Sequence, residues 1–446
     1  MAHNNVAIRA SQAQIGNPRE GEKDERQASP WMITAALKEF DTARKDRINT
    51  TSSGSMLIRF RSPAAHRLQI RNTSTAIWFP QELCAGLAEA FSFMASQAPT
   101  TPCLAIALDA SSLIQIGQER GDERLMIEGK KMYCDALKFL RLALARPAGE
   151  RPDALLGAIT ALQVAEGNLC MDGADWRNHS AGVAAFMRER VRDVKYVHLG
   201  WPRLVERHFA TFQFWSSLVD RRRMGYCLLD DAPALLTIAQ AVPGVLQECD
   251  EVCCGRFSEE RALTVARRLK GIEADLMEWT SQWNRSMRIA PFRLVSATEL
   301  WFPQRKQLAA VKNNIFPLVF RFNDLSDCLD QSICTASMLV IKRAMLDLNL
   351  TAVRNACSIT LDLPSLQGLT KSISACADTL CMGFPYLCEP KHGKFGKVVT
   401  APPLGIAMDW YRHLRDGTGS KQAARKLAWC ADAAASIQRD RIRMLT

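Results

Sequence analysis

The chain has 446 residues, of which 48% are hydrophobic and 23% are charged, and its formal net charge is +11. These fractions are typical of a folded globular protein that buries a sizeable core. The first residues do not show a basic segment followed by an apolar one, and no stretch approaches the roughly 18 apolar residues that a membrane span requires. We therefore expect a soluble protein without a secretory signal or a membrane partner.

The N-terminal segment, residues 1–75, differs in composition from the rest of the chain. It is rich in Ser, Thr, Asn, Arg and Gly and has little apolar periodicity, apart from WMITAALKEFDTARK (31–45). Such a composition predicts a mostly disordered, basic segment with one short helix. The helical pattern begins near residue 76, so we expect one domain over residues 76–446.

Apolar residues at helical spacing dominate the rest of the chain. In GDERLMIEGKKMYCDALKFLRLALARP (121–147), Tyr133, Leu137 and Leu140 share one face with Met126 and Leu144. RPDALLGAITALQVAEG (151–167) follows, with Asp153 placed to cap it. Similar patterns predict helices over 174–190, 200–222, 258–285, 315–349, 364–385 and 420–440. Because alternating β patterns are scarce, we predict an all-α fold, a single large helical domain of antiparallel-packed helices.

The fifteen cysteines are scattered through the chain, and no two of them have the C-x2-C spacing of a zinc knuckle. We predict that they are buried thiols in a reducing compartment. The cysteines whose sequence neighbours are apolar support this prediction, namely Cys134, Cys170, Cys334, Cys357 and Cys430. Two groups remain as metal candidates, namely Cys249, Cys253 and Cys254, and Cys376, Cys381 and Cys388 with His392. Their spacing favours thiols over zinc, so we predict no metal site.

No common catalytic or cofactor signature is present, such as a glycine-rich nucleotide loop or an HExxH helix. HGKFGK (392–397) is predicted to be a cationic loop. The stretch MDGADWRNHSAGVAAFMRER (171–190) is the one place where polar groups gather. Asp175 and His179 are i,i+4 neighbours and could form an acid–base dyad with Arg177 nearby. Alternatively Asp172 or Asp175 caps the helix and His179 packs inside it.

Three segments in succession carry a family resemblance. They are YCDALKFLRLAL (133–144), DALLGAITALQVAEG (153–167) and DWRNHSAGVAAFMRER (175–190). SACADTLCMGFPYLCEPKHGKFGKVVTAPPLGIAMDWY (374–411) and ARKLAWCADAAASI (424–437) extend it. In this order the segments resemble the fungal-specific transcription factor domain, the all-helical regulatory region of fungal binuclear zinc cluster regulators.

The resemblance implies a transcriptional regulator, located in the nucleus or in both nucleus and cytoplasm, that controls a gene cluster for secondary metabolism. The first cysteine is Cys84, so the expected zinc cluster does not precede the helical domain, and the chain would act through partner regulators or a small-molecule effector. Contacts with DNA would be indirect or non-specific.

The alternative is that the chain has the fold of such a regulator but is an enzyme that converts a small molecule. We predict no catalytic residue and no cofactor; if the chain is an enzyme, the candidates are His179, Asp175 and Arg177, followed by Cys381 and His392.

Overall fold

The protein is described by a computed structural model, in which the residues with a defined placement are 67, 69–71, 74, 94–147, 154–169, 211, 214–215, 217–218, 234–255, 257–286, 290–300, 315–356 and 361–442. Arg67–Thr446 forms one compact unit. The predicted helices over 31–45 and 174–190, and most of the one over 200–222, lie outside the described residues.

The described residues are all-α with one small sheet, which confirms the predicted fold class. The elements in chain order are α1 (Pro102–Arg120), α2 (Glu123–Leu144), α3 (Ala154–Leu169), α4 (Ala234–Ala239), α5 (Val242–Cys254), α6 (Glu259–Ser286), β1 (Phe292–Ser296), α7 (Ala297–Leu300), β2 (Leu318–Phe322), α8 (Leu325–Arg354), α9 (Leu366–Leu387), α10 (Gly393–Thr418) and α11 (Lys421–Ile442). Short 3₁₀ turns at Ala98–Thr100 and Pro390–His392 precede α1 and α10. None of the helices in the described part is long and apolar enough to cross a membrane.

Side-chain caps fix the start of several predicted helices. Asp122 accepts hydrogen bonds from the backbone N–H groups of Arg124 and Leu125 at 3.0 and 3.3 Å, at the start of α2. Ser365 and Ser420 do the same for α9 and α11. Each cap satisfies an N–H group that has no partner within its helix. The helices predicted over 258–285, 364–385 and 420–440 are confirmed within two residues.

Helices α1, α2 and α3 form a three-helix group with its own core, built around Leu104, Leu140, Leu155 and Leu162. The polar surface of α1 is covered by residues that the sequence assigns to the disordered segment. Arg71 donates from Nε to Asp109 Oδ1 at 2.7 Å, and Ser74 and Gln115 bond each other. Arg71 and Ser74 thus belong to the same compact unit as α1.

The remaining helices surround α8, which contacts α4, α5, α6, α9, α10 and β2. Its buried side chains lie on all sides of the helix, among them Ile333, Leu339, Ile341 and Leu348. The consecutive helices α8, α9, α10 and α11 pack on one another through short connections, as expected for antiparallel neighbours. This second group holds the largest core of the molecule.

The helix predicted over 315–349 is wrong at its beginning. Residues 318–322 form β2, which pairs antiparallel with β1, with Phe292 opposite Phe322 and Val295 opposite Val319. Pro317 opposes a helix through this segment, and the LVFRF that follows it is rich in valine and phenylalanine, which favour a strand. The rings of Phe292 and Phe320 lie 4.6 Å apart. The helix itself begins at Leu325, after Asp324 caps it.

The cationic loop predicted over HGKFGK (392–397) is also wrong. His392 closes a 3₁₀ turn, and α10 begins at Gly393. The reason is steric: Gly396 has no Cβ, and one built there would lie 2.1 Å from the carbonyl oxygen of Leu387. The missing side chain lets α10 start directly against the end of α9.

Candidate functional site

The residues that the sequence singles out first, Asp175, Arg177 and His179, lie outside the described residues, as does Asp172. The other two candidates, Cys381 and His392, are described and have separate surroundings. Cys381 belongs to the core formed by α8, α9, α10 and α11. His392 packs against Tyr386, near the small sheet and the start of α8.

Cys381 is a buried thiol with two polar neighbours. Its Sγ lies 3.5 Å from Cys430 Sγ and 3.9 Å from Tyr411 Oη. Burial raises the pKa of the Cys381 thiol well above its usual value. A thiol that stays protonated is a poor nucleophile, so Cys381 acts as a packing residue.

A polar network next to Cys381 joins α9, α10 and α11. Asp378 accepts a hydrogen bond from Tyr411 Oη at 2.6 Å. Lys426 Nζ donates to both oxygens of the same carboxylate, at 2.5 and 2.7 Å. Both carboxylate oxygens are satisfied, and the Lys426 side chain is 13% exposed. The network holds three helices in register and leaves no group available for a ligand.

The buried-thiol prediction is confirmed for Cys334 and Cys430 and wrong for Cys134, which is exposed. The inward face of α2 carries Ala136 and Leu140, and Cys134 points away from that core. Cys170 and Cys357 lie outside the described residues. Among the residues with a defined placement, no three His, Cys, Asp or Glu side chains gather closely enough to hold a metal ion.

Tyr386 and His392 form the most unusual polar site in the described part of the chain. Both residues are fully buried, and their ring centroids lie 4.6 Å apart. Tyr386 Oη and both ring nitrogens of His392 are buried without a hydrogen-bond partner among the described residues. Leaving a buried polar group unpaired costs about 1–3 kcal/mol, so each such group calls for an explanation.

The surroundings of this Tyr386–His392 site come from five elements, α8, α9, the 3₁₀ turn, α10 and β2. Tyr386 lies at the end of α9 and His392 on the following 3₁₀ turn, and the tight approach at Gly396 brings α10 against both. The ring of Phe322, from β2, lies 5.3 Å from that of Tyr386. Phe320, Leu325, Cys328, Leu387 and Val399 complete the apolar surroundings.

Both groups of the site are held in their neutral forms. Burial, together with a smaller contribution from the neighbouring Lys391 ammonium, lowers the pKa of His392 to about 4. Burial raises the pKa of Tyr386, as do the charges of Cys328 and Glu389. A neutral imidazole offers one donor and one acceptor, and a phenol offers both functions. The site therefore offers hydrogen-bond donors and acceptors that carry no charge.

The neutral imidazole makes the stability of the protein depend on pH. His392 binds a proton near pH 6.5 when unfolded but only near pH 4 when folded, so its contribution is complete above pH 6.5 and is lost as the pH falls to about 4. We expect wild type to lose about 3 kcal/mol relative to His392→Phe between pH 7.5 and pH 4. Urea unfolding of both proteins at each pH measures this difference.

The comparison with His392→Phe removes the contributions of the neighbouring charged groups. Asp327, whose pKa burial raises to about 6, changes stability in the opposite direction, and Lys391 pairs with Glu389 at 2.7 Å. These groups are present in both proteins and cancel in the difference. Parallel pH profiles would contradict the assignment of a buried, neutral imidazole.

The sequence suggested His392 only as a distant candidate and did not suggest Tyr386. The two residues are six positions apart across a helix end and a 3₁₀ turn, a spacing that matches no regular periodicity. The only hint in the sequence was Gly396. That this position requires a glycine becomes clear only when the structure shows Leu387 packed against it.

In comparisons with protein-family models, curated proteins and solved structures, no significant match to this chain was found.

Proposed function

We propose that this chain is a transcriptional regulator-like protein of the nucleus that acts through partner regulators and responds to a small, uncharged effector. Its targets in this proposal are the genes of a cluster for secondary metabolism. The proposal rests first on the resemblance of residues 76–440 to the helical regulatory region of fungal zinc cluster regulators. The all-α fold agrees with the architecture that this resemblance implies.

Those resemblance segments that lie within the described residues contribute to the cores of the folded unit. Tyr133 of α2 donates a hydrogen bond to Glu166 Oε1 of α3 at 3.1 Å, so the first two segments contact each other. In the closing segments, Trp410, Tyr411, Trp429 and Cys430 are all buried in the large core. The resemblance thus lies in residues that determine packing.

The observation that supports an effector is the unpaired polar surface of the Tyr386–His392 site. Three buried atoms without partners among the described residues would each destabilise the empty protein, whereas a bound hydroxyl or carbonyl compound could satisfy them. The surrounding phenylalanine and leucine side chains favour a ligand with an apolar body. The proposed effector is therefore a small, neutral, largely apolar molecule with at least one hydrogen-bonding group.

The proposal assigns sequence-specific DNA recognition to the partners. The 446 residues contain no C-x2-C pair that could form a zinc cluster. Their net charge of +11 supports non-specific attraction to phosphate groups, which weakens steeply as salt rises.

A reporter assay tests the regulatory proposal. The full chain is fused to an unrelated sequence-specific DNA-binding module, and transcription of a reporter with the matching site is measured. We expect the fusion to change reporter output relative to the module alone, because the helical domain would recruit its partners. Reporter output equal to that of the module alone, together with turnover of a small molecule by the purified chain, would support the enzyme instead.

Two matched tyrosine variants test the effector site in the same assay. Tyr386→Phe removes a phenol that has no partner among the described residues, and Tyr133→Phe removes one that donates to Glu166. Losing one hydrogen bond to an effector is worth about 1 kcal/mol, so we expect Tyr386→Phe to change reporter output roughly five-fold. Tyr133→Phe should leave the output unchanged. Equal outputs for wild type and Tyr386→Phe would refute the effector site and leave the regulatory proposal standing.

A further inference from the structure

The small sheet carries two arginines directly opposite each other. Arg293 of β1 pairs with Arg321 of β2 in the antiparallel register, and both side chains are exposed. Neither guanidinium has a hydrogen-bond or ion-pair partner among the described residues. Opposite residues in a sheet keep their Cβ atoms about 4.5–5.5 Å apart, so two like charges there destabilise the pair. A carboxylate placed beside both guanidinium groups would relieve this repulsion.

The hydrogen bonds at the two ends of the sheet show which residues of β1 face β2. The N–H group of Ala297 donates to the carbonyl oxygen of Pro317 at 2.9 Å, and that of Asn323 donates to the carbonyl oxygen of Pro291 at 3.1 Å. Along an antiparallel strand, residues that bond the neighbouring strand alternate with residues that do not. The odd-numbered residues of β1 therefore bond β2, and the even-numbered ones direct their N–H and C=O groups towards the outer edge of the strand.

The outer edge of β1 is open at Leu294. Its backbone N–H and C=O groups point away from β2, and no described residue bonds them. Its side chain is 53% exposed. In the described part of the chain β1 packs mainly on β2 and α7, whereas β2 also contacts α8 and α9. An unpaired strand edge of this kind is a template for a further strand.

We propose that the outer edge of β1 binds an extended segment of a partner protein in which acidic and apolar side chains alternate. Successive side chains of a strand point to opposite faces of the sheet. An added strand would therefore place one set of side chains beside Arg293 and Arg321, where acidic groups are favoured. The other set would lie beside Leu294 and Leu318, which are both about half exposed. Backbone hydrogen bonds to the edge would hold the segment in register.

The inference rests on the small sheet alone and does not depend on the proposed regulatory function. A second copy of this chain is a poor occupant of the edge, because pairing two β1 strands would bring further arginines onto the face of Arg293 and Arg321. A nucleic acid is also a poor occupant. Its phosphates accept hydrogen bonds but offer no donor to the C=O group of Leu294, whereas a peptide backbone supplies both a donor and an acceptor.

Binding of designed peptides to the full chain tests the proposal. Fluorescence anisotropy is measured with labelled Val-Glu-Val-Glu-Val-Glu-Val, with its lysine counterpart, and with a peptide in which four valines precede three glutamates. We expect the alternating acidic peptide to bind roughly ten-fold more tightly than either control, and its affinity to fall as salt is raised. Equal binding of the peptide with separated valines and glutamates, or tighter binding of a labelled oligothymidylate, would overturn the proposal.

Charge reversal at position 293 separates binding from folding. Arg293→Glu places a carboxylate opposite Arg321, so the variant should melt at or above the temperature of wild type. Its affinity for the alternating acidic peptide should fall roughly ten-fold. Arg354→Glu makes the same change of charge at an exposed position at the end of α8 and should leave the affinity unchanged. Equal affinities of wild type and folded Arg293→Glu would refute the role of the arginine pair.

A double reversal and hydrogen exchange test the two parts of the proposed recognition. Arg293→Glu combined with Arg321→Glu should reverse the preference, so that the lysine peptide binds more tightly than the acidic one. In wild type saturated with the acidic peptide, the backbone amides of β1 should exchange more slowly with deuterated water, because the added strand bonds the N–H group of Leu294. Unchanged exchange in β1 at saturation would show that the peptide does not add to this edge, and would overturn the proposal.

Discussion

Replacing Trp410 with alanine is expected to lower the free energy of unfolding by about 3–5 kcal/mol, the range for removing a buried tryptophan. Trp410 is 1% exposed and lies in the core that α9, α10 and α11 form around α8. Its Nε1 donates to Ser374 Oγ at 3.1 Å, and its ring stacks on His413 at 5.4 Å. Urea unfolding, followed by circular dichroism at helical wavelengths, measures the loss.

Two further variants divide the contribution of Trp410. Ser374→Ala keeps the tryptophan ring and removes the acceptor of its Nε1, along with the bond that Ser374 Oγ donates to Thr370 O at 2.8 Å. It should cost about 1 kcal/mol. Trp283→Ala removes a partly buried tryptophan that stacks on Trp279 at the end of α6, where solvent can fill the space. It should cost clearly less than Trp410→Ala. If both tryptophan variants lowered the free energy of unfolding equally, the buried Trp410 in the core around α8 would stabilise the protein no more than the partly buried Trp283.

Replacing Gly396 with alanine is expected to destabilise the protein by at least about 3 kcal/mol, at the upper end of the range for an overpacked core. The new Cβ would lie 2.1 Å from the carbonyl oxygen of Leu387 and 2.7 Å from Cβ of His392. The first of these atoms belongs to the backbone, so a side-chain rotation cannot relieve the contact. Either α10 or the turn that carries His392 has to move.

Gly405 provides a matched control on the same helix. A Cβ at this position meets no atom within 4 Å. Because alanine is the better helix former, Gly405→Ala should stabilise the protein by about 0.5–1 kcal/mol. Thermal unfolding of both variants should thus give shifts of opposite sign. A melting temperature of Gly396→Ala at or above that of wild type would contradict the close contact between α9 and α10.

Local signals in the sequence were sufficient for most of the helices. A serine cap and an apolar stripe define α6, α9 and α11 without any knowledge of their partners. The β1–β2 hairpin was missed because its strands are separated by more than 20 residues and depend on pairing Phe292 with Phe322. The hydrogen bonds of Arg71 and Ser74 with α1 could not be predicted either, because their partners Asp109 and Gln115 lie more than 35 residues further along the chain.

The Tyr386–His392 site could not be predicted for a related reason. Periodicity identifies which face of a helix is buried, but it does not identify the partners of the buried side chains. Whether a buried phenol finds a partner depends on the neighbouring elements, and here the neighbours are apolar. Tyr411 shows the opposite outcome, since Asp378 accepts its hydrogen bond at 2.6 Å. The difference between a packing tyrosine and a site residue arises only in the tertiary structure.

The central position of α8 also affects how the chain can fold. This helix contacts α4, α5 and α6, which precede it, and α9 and α10, which follow it. Because its buried residues lie on all sides, neither set of neighbours alone covers its apolar surface. Contacts that join distant parts of the chain form slowly, since each one requires a large loop to close first. The helices around α8 are therefore expected to fold in one cooperative step, and a chain cut on either side of α8 would expose it and aggregate.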